Sequence, residues 1–474
     1  MKKIILTSLF LYVCIFAFAN TSAENIQISG KAYFLNEGDS VGLRIYKYGI
    51  YSSEKQFSDL QYVRVKNGQF NFSWAAKPYP QFTNIYFKHH QGTTLTYYIV
   101  EPGEKLHLQI TKDSLIVSGE KSAGFQLQYQ LRKIQAKFFS RNRMSDISAT
   151  RLINRSLMDD SIAAEQNVLI AKYSHLLDER MKNFLLLNTH SMQIGGIYEL
   201  LSMRIYGNVD SSKYEGLPQL RKYLEARKKL LSCHFELEPY NLFYLQFVLN
   251  KYKVDSCLLT KNAFHLKNYL TYVIDHYSGV TREQLLVAAI DEQKDFTSDA
   301  VEAIKNALSY VSNLDHQKYI KSILASRVEG ATAYNFALTN TAGKPVRLSD
   351  FKGHVVVLDF WFTYCGNCVR LKPYLEKIEA KFKGQPVDFV TICLDEKMSM
   401  FLNSVKGGQY TSASTINLFT NGRGWDDIVV QKYQLNGCPT LVLIDKDNKI
   451  RNVTTDPRLD NGEHLTKLIT TYLQ

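Results

Sequence analysis

Val355-Val356-Val357-Leu358-Asp359-Phe360-Trp361-Phe362-Thr363-Tyr364-Cys365-Gly366-Asn367-Cys368 is the stretch that decides the fold. It opens as an almost unbroken apolar run of strand length, which reads as a buried strand. Two cysteines three positions apart follow at once, at the junction where strand gives way to helix. Thiols at that spacing can close a disulfide and open it again. The first sulfur then sits at a helix start, where free N–H groups and the helix dipole stabilise a thiolate. Zinc sites use the same spacing, so the pair alone leaves both chemistries open.

Further along, Gly437-Cys438-Pro439-Thr440 precedes a second apolar run, Leu441-Val442-Leu443-Ile444. With these residues, 331–474 resembles the thioredoxin fold, and more closely the secreted TlpA/ResA-like thiol:disulfide oxidoreductases. Leu348-Ser349-Asp350-Phe351-Lys352-Gly353 is similar to that family's lead-in to its central strand, and Asp359-Phe360-Trp361 to the tripeptide before its motif. Pro373 falls where thioredoxins kink the active-site helix. The chain departs from the family in having Tyr364 for the usual Trp, Gly-Asn for Gly-Pro, and Leu371 where many members carry Glu.

The resemblance implies an α/β domain with a mostly parallel central sheet covered by helices. It implies that Cys365 attacks a substrate disulfide and that Cys368 resolves the mixed disulfide. Asp359 falls where thioredoxins keep a buried acid; desolvation would raise its pKa enough to serve as general base for Cys368. Pro439 falls on the family's cis-proline, which exposes the preceding backbone to an extended substrate. Trp361, Tyr364, Cys438 and Pro439 are thus the expected substrate-binding residues, with Trp361 and Tyr364 packed around the motif. Cys438 is the unusual element: a third thiol that could enter a competing disulfide, join a soft metal ion, or simply be a small residue tolerated beside proline. No cofactor and no metal are expected. The expected partners are disulfide-containing proteins and a membrane electron donor.

The 474 residues exceed what one core holds, and composition (45% hydrophobic, 22% charged) is that of a globular protein. Lys2 and Lys3, the apolar Ile4–Phe18 and the small residues to Ala23 read as a cleaved export signal over 1–23, hence a periplasmic or otherwise exported protein. No later segment is apolar enough to stay in a membrane. Of seven cysteines all but Cys14 follow that leader, too few for a disulfide-built scaffold. Cys393 sits in an apolar run and reads as a buried hydrophobe; Cys233 and Cys257 either bridge two helices or remain free thiols. The net charge of +12 is spread through stretches such as Arg221–Lys229 at helical spacing, which indicates solvated helix faces rather than a nucleic-acid site.

Residues 24–120 alternate apolar and polar between closely spaced turns, including Asn67-Gly68, and predict an antiparallel β-sandwich. It resembles a domain often placed ahead of secreted thioredoxin modules. From 121 to 330 the period becomes helical, as at Leu127, Leu131, Ile134 and Phe138, with Met181–Leu187 and Leu242–Leu249 as bundle cores. Gly330 to Ala333 reads as a short link into 331–474. The chain is therefore expected to be multidomain: sandwich, helical region, thioredoxin-like domain. The competing reading is a binding or scaffold protein with an accessory thioredoxin module. A peroxidase of the peroxiredoxin type is disfavoured by Phe362, which stands where that motif needs Thr or Ser.

Overall fold

The computed structural model describes residues 25–48, 57–87, 94–139, 149–206, 222, 224–225, 238–260, 262–293, 296–412, 414–435, 437–451 and 456–474. The expected leader, most of the basic stretch 221–229 and Cys233 lie outside the described residues, and with Cys233 the possible bridge to Cys257. Cys257 is a buried free thiol. Packing divides the chain into two compact units, one of residues up to 43 with 61–128, the other of 44–60 with 129–474.

The N-terminal strands are β1 (Asn25–Ala32), β2 (Ser40–Tyr46), β3 (Ser58–Arg64), β4 (Gln69–Ala75), β5 (Gln81–Phe87), β6 (Leu95–Val100), β7 (Lys105–Ile110) and β8 (Leu115–Glu120). They form two four-stranded sheets ordered β4-β1-β7-β8 and β3-β2-β5-β6. Alternate residues of β1 and β4, among them Ile26, Ile28, Phe70 and Phe72, turn inward, as the period of two requires. Phe70 meets Phe87 edge-on at 6.2 Å between the layers. Asn67 and Gly68 both have positive φ (51° and 70°), which the tight turn demands. Lys66 and Gln69 exchange backbone hydrogen bonds across it at 2.9 and 3.0 Å. Lys66 and Gln69 thus close a single antiparallel bridge at a tight hairpin tip, while the strands on either side of it, β3 and β4, belong to different sheets. A second difference from expectation is that β1 and β7 pair in parallel. Alternation reports which face is buried and carries no information about the partner strand.

Helix α1 (Ala123–Phe139) is followed by α2 (Ala149–Tyr173), α3 (Glu179–Tyr206), α4 (Leu242–Tyr252), α5 (Leu266–His276), α6 (Gly279–Glu292), α7 (Ser298–Leu308) and α8 (Leu314–Arg327). The predicted core stretches are buried: Met181, Phe184, Leu185 and Leu187 on α3, and Leu242, Leu245, Phe247 and Leu249 on α4. Asn241, Thr297 and Asn313 cap α4, α7 and α8 through their side chains. The helical core also takes Phe57 from the β2–β3 connection. Gly330 to Ala333 is no free linker: Gly330 N–H donates to Ile450 O at 2.8 Å and Ala333 N–H to Asn448 O at 2.9 Å.

The C-terminal part runs β9 (Ala337–Asn340), β10 (Pro345–Arg347), β11 (Val355–Trp361), α9 (Gly366–Lys381), β12 (Val387–Cys393), α10 (Met398–Gly407), β13 (Ile416–Phe419), α11 (Ile428–Lys432), β14 (Thr440–Ile444), β15 (Ile450–Arg451) and α12 (Glu463–Leu473). Its seven strands order as β10-β9-β13-β12-β11-β14-β15. Only β11/β12 and β12/β13 are parallel; the flanking pairs are antiparallel, which corrects the expectation of a mostly parallel sheet. Every residue of β11 is buried, as its apolar run required. Val355 and Val357 pack under α9 and α12 through Ile378, Leu465 and Ile469. Val356, Leu358 and Phe360 face the opposite layer with Val429, Val430 and Tyr433. The result is the three-layer α/β arrangement of a thioredoxin-like domain.

Candidate active site

Strand β11 ends at Trp361, and the chain turns through Phe362 to Tyr364 before α9 begins. Two long-range anchors shape this turn. Asp395, just beyond β12, accepts the Thr363 N–H at 2.9 Å and the Thr363 hydroxyl, which also contacts Ser404 at 2.7 Å. Tyr364 N–H donates to the Tyr410 hydroxyl at 2.8 Å, which steadies a left-handed backbone (φ 76°) unusual for tyrosine. Tyr410 also stacks on Trp361 with ring centroids 4.9 Å apart.

This turn delivers Cys365 to the N-cap of α9. Cys365 and Cys368 form a disulfide, and Cys365 Sγ accepts the Cys368 N–H at 3.1 Å. The helix start therefore donates directly to Cys365 Sγ, an arrangement that favours negative charge on a sulfur at that place. Both cysteines are nearly covered, Cys365 at 4% exposure and Cys368 at 2%. Between them, Asn367 Oδ1 accepts from Arg370 Nη2 at 2.6 Å and from Arg458 Nη1 at 3.4 Å, which brings two guanidinium groups beside the motif. Pro373 lies inside α9 as anticipated.

Beneath the motif is a packed cluster of Trp361, Cys365, Cys368, Cys393, Phe401, Tyr410 and Phe419, with Cys438 against it. The Cys438–Pro439 peptide is cis. Cys438 and Cys393 are free thiols, and burial pushes both well above the ordinary thiol range; Asp359 adds to this for Cys438. Among the described residues no group of three or more His, Cys, Asp or Glu is placed to hold a metal ion.

Two expectations need correcting. Trp361 is fully buried, so it supports the motif from below and cannot meet a substrate directly. Tyr364 is 85% exposed and projects into solvent instead of covering the cysteines, because the left-handed turn aims it outward. Tyr410 and Asp395 were not anticipated from sequence. The position of Asp395 just past the carboxyl end of a parallel strand, where open α/β sheets gather their sites, was the one available signal.

Asp359 lies two residues before Trp361, on the same face of β11. It is 6% exposed, and its Oδ1 has no hydrogen-bond partner. Burial pushes its pKa from 3.8 up to about 8. A carboxylic acid near that value can hold or release a proton at physiological pH.

A family profile described as Redoxin matches residues 328–467. Over 142 residues the chain is 32% identical to thiol-disulfide oxidoreductase ResA of Bacillus thuringiensis subsp. konkukian, covering 30% of this chain and 78% of that protein. It is 33% identical over 136 residues to ResA of Bacillus subtilis strain 168, covering 29% of this chain and 72% of that one. Among solved structures, the thioredoxin domain of a thiol-disulfide oxidoreductase from Bacteroides vulgatus aligns at 23% identity and a TM-score of 0.28, over 31% of this chain and all of that one. These matches fall in the last third of the sequence.

Proposed function

The chain belongs to the ResA-like thiol-disulfide oxidoreductases through its C-terminal domain, and from that premise we propose that it is an exported reductase of protein disulfides acting through Cys365 and Cys368. The observation that carries this reading is the Cys365–Cys368 disulfide seated at the N-terminus of α9, with Cys365 Sγ accepting a helix N–H.

The structure holds the oxidised form, which is the product of substrate reduction. In the reduced form, the Cys365 thiolate attacks one sulfur of a substrate disulfide, and the other substrate sulfur leaves as thiolate. Cys368 then gives up its proton and attacks Cys365 Sγ, freeing the second substrate thiol and reforming the Cys365–Cys368 bond. Each cycle oxidises two protein thiols and reduces one substrate disulfide. A membrane-bound dithiol donor restores the pair.

Asp359 is the base for Cys368; its burial and its lack of any hydrogen bond on Oδ1 support this role. Substrate meets the exposed Tyr364 ring and the backbone beside Cys438 and Pro439. Export rests on the charged, apolar and small-residue succession of 1–23, and among the described residues no helix is long and apolar enough to cross a membrane. We assign 24–120 to a β-sandwich domain, 121–330 to a helical domain and 331–474 to the redox domain.

Insulin reduction by the full chain tests the assignment. Cys365→Ser should abolish it, and Cys368→Ser should accumulate mixed disulfides visible on a non-reducing gel, since attack persists while resolution is lost. Full activity in Cys365→Ser would overturn the proposal.

A further inference from the structure

Helix α9 carries more than Cys368 on its inner face. Lys372, Glu376 and Glu379 follow at four, eight and eleven positions, the spacing that keeps residues on one side of a helix. With Asp359 of β11 and Thr411 and Ser412 of the loop before β13, they line a cavity of about 20 Å³. That is room for one water molecule, which requires roughly 10–15 Å³ and polar partners. Asp359 lines this cavity, and its Oδ1 is buried without a protein hydrogen-bond partner.

The two carboxylates at the outer side differ. Glu376 is neutralised by Lys372 at 2.7 Å. Glu379 makes no ion pair with any described residue and is held only by the Ser412 hydroxyl, which donates to its Oε2 at 2.7 Å. It is half-exposed, so it touches both the cavity and solvent.

We propose that Glu379 is the proton exit of the redox site: a water in this cavity passes the proton of Asp359 to the Glu379 carboxylate, which delivers it to solvent. This rests on the reading of Asp359 as base for Cys368. When Cys368 is deprotonated, Asp359 receives its proton. Asp359 then gives a proton to the water, the water gives one to Glu379, and Glu379 releases it, so that one proton leaves and every group returns to its starting state. Re-reduction of the pair runs the same path inward. Glu379 touches neither sulfur; it acts through Asp359. The charged or titratable groups around Asp359 are Lys372, Glu376 and Glu379 on α9, Tyr410 in the loop and Cys438 before β14; β14 and α12 present apolar residues to this layer.

The test is single-turnover resolution of a mixed disulfide on Cys365 in the full chain, followed against pH in wild type, Asp359→Asn, Glu379→Gln and Glu379→Asp. Thermal unfolding of each variant confirms folding. Glu379→Gln preserves size and an acceptor for Ser412 while removing the exchangeable proton site. It should lower the plateau rate about tenfold, less than the 10²-fold or more for loss of the base itself, and leave the pH midpoint in place. Glu379→Asp should recover much of the rate, and high concentrations of imidazole buffer should recover it in Glu379→Gln. If Asp359→Asn abolishes the midpoint while Glu379→Gln keeps the full plateau, the exit lies elsewhere and the inference fails. If Asp359→Asn retains the midpoint, the role of Asp359 itself is wrong. A folded Glu379→Gln that is slow but gains nothing from imidazole would also overturn the relay.

Discussion

Two buried acids in this molecule meet opposite fates. Glu283, on α6, accepts the Ser312 N–H and hydroxyl, both at 2.8 Å, the Asn313 N–H at 3.2 Å, and the His316 Nδ1–H at 2.6 Å. Burial alone would raise its pKa, but these donors outweigh it and hold the carboxyl below its ordinary value. Burial pushes His316 below its ordinary value, with Tyr48 and Phe57 rings packed on it at 4.3 and 5.3 Å. Asp359, in β11, has no partner on Oδ1 and is pushed up to about 8. A buried charge with its hydrogen bonds made is a fastener. A buried acid left without them is held near the point of proton exchange at a cost in stability, and such groups gather where chemistry is done.

Substitutions can break this contrast or sharpen it. The largest effect belongs to Cys365→Ser, where disulfide reduction should fall to background, because without the attacking thiolate the state of Asp359 is irrelevant. Residual activity above a few per cent, measured by insulin turbidity, would place the chemistry elsewhere.

Glu283→Ala should destabilise the helical region by about 3–5 kcal/mol, since it strands the donors of Ser312, Asn313 and His316 in the interior. Urea unfolding checks the loss; the folded fraction should still reduce insulin at the wild-type rate. A variant of wild-type stability would show that the Glu283 node fastens nothing.

Asp359→Asn should do the reverse and stabilise the fold. The native acid keeps its proton up to about pH 8 while the unfolded one releases it near 3.8, so wild-type stability falls as pH rises between those values. Asparagine has no proton to lose. Its advantage should therefore be small at pH 4 and grow as pH rises toward 8, to a ceiling of roughly 5–6 kcal/mol at about 1.4 kcal/mol per pH unit between the two values. Equal stability of the two proteins at pH 8 would mean that Asp359 is solvated after all.

The smallest effect concerns exposed charge. Arg458→Gln removes one guanidinium from Asn367 and should shift the thiolate titration of Cys365 upward, slowing attack by less than about fivefold, as solvent-screened charges do. Iodoacetamide alkylation against pH reads the shift, and a larger effect would make this surface arginine a principal determinant of reactivity.

Much of the redox site was legible in the sequence because its chemistry requires local spacing. Two cysteines one helical turn apart, a preceding apolar strand and an X–Pro after a long interval each leave a mark within a few residues. Strands β1, β4 and β7 were legible for the same reason, since burial alternates along each of them, whereas β2 and β5 are buried along most of their length. What escaped notice depends on distant partners. Neither the parallel pairing of β1 with β7 nor the passage between sheets from β3 to β4 changes any local pattern. The stacking of Tyr410 on Trp361 and the hold of Asp395 on Thr363 link residues far apart in sequence. Nor does the apolar context of Cys393 reveal that it packs beneath the redox pair. The outward turn of Tyr364 follows from a positive φ that sequence does not announce for tyrosine.

The measurement that bears most directly on the role of the unsatisfied acid is the rate at which Cys368 resolves a preformed mixed disulfide on Cys365, recorded from pH 5 to 10 in wild type and Asp359→Asn. Wild type should rise with a midpoint near 8, and the variant should be slower by on the order of 10²-fold without that midpoint. Superimposable profiles in the two proteins would contradict it, and Asp359 would then be a buried acid with no part in the exchange.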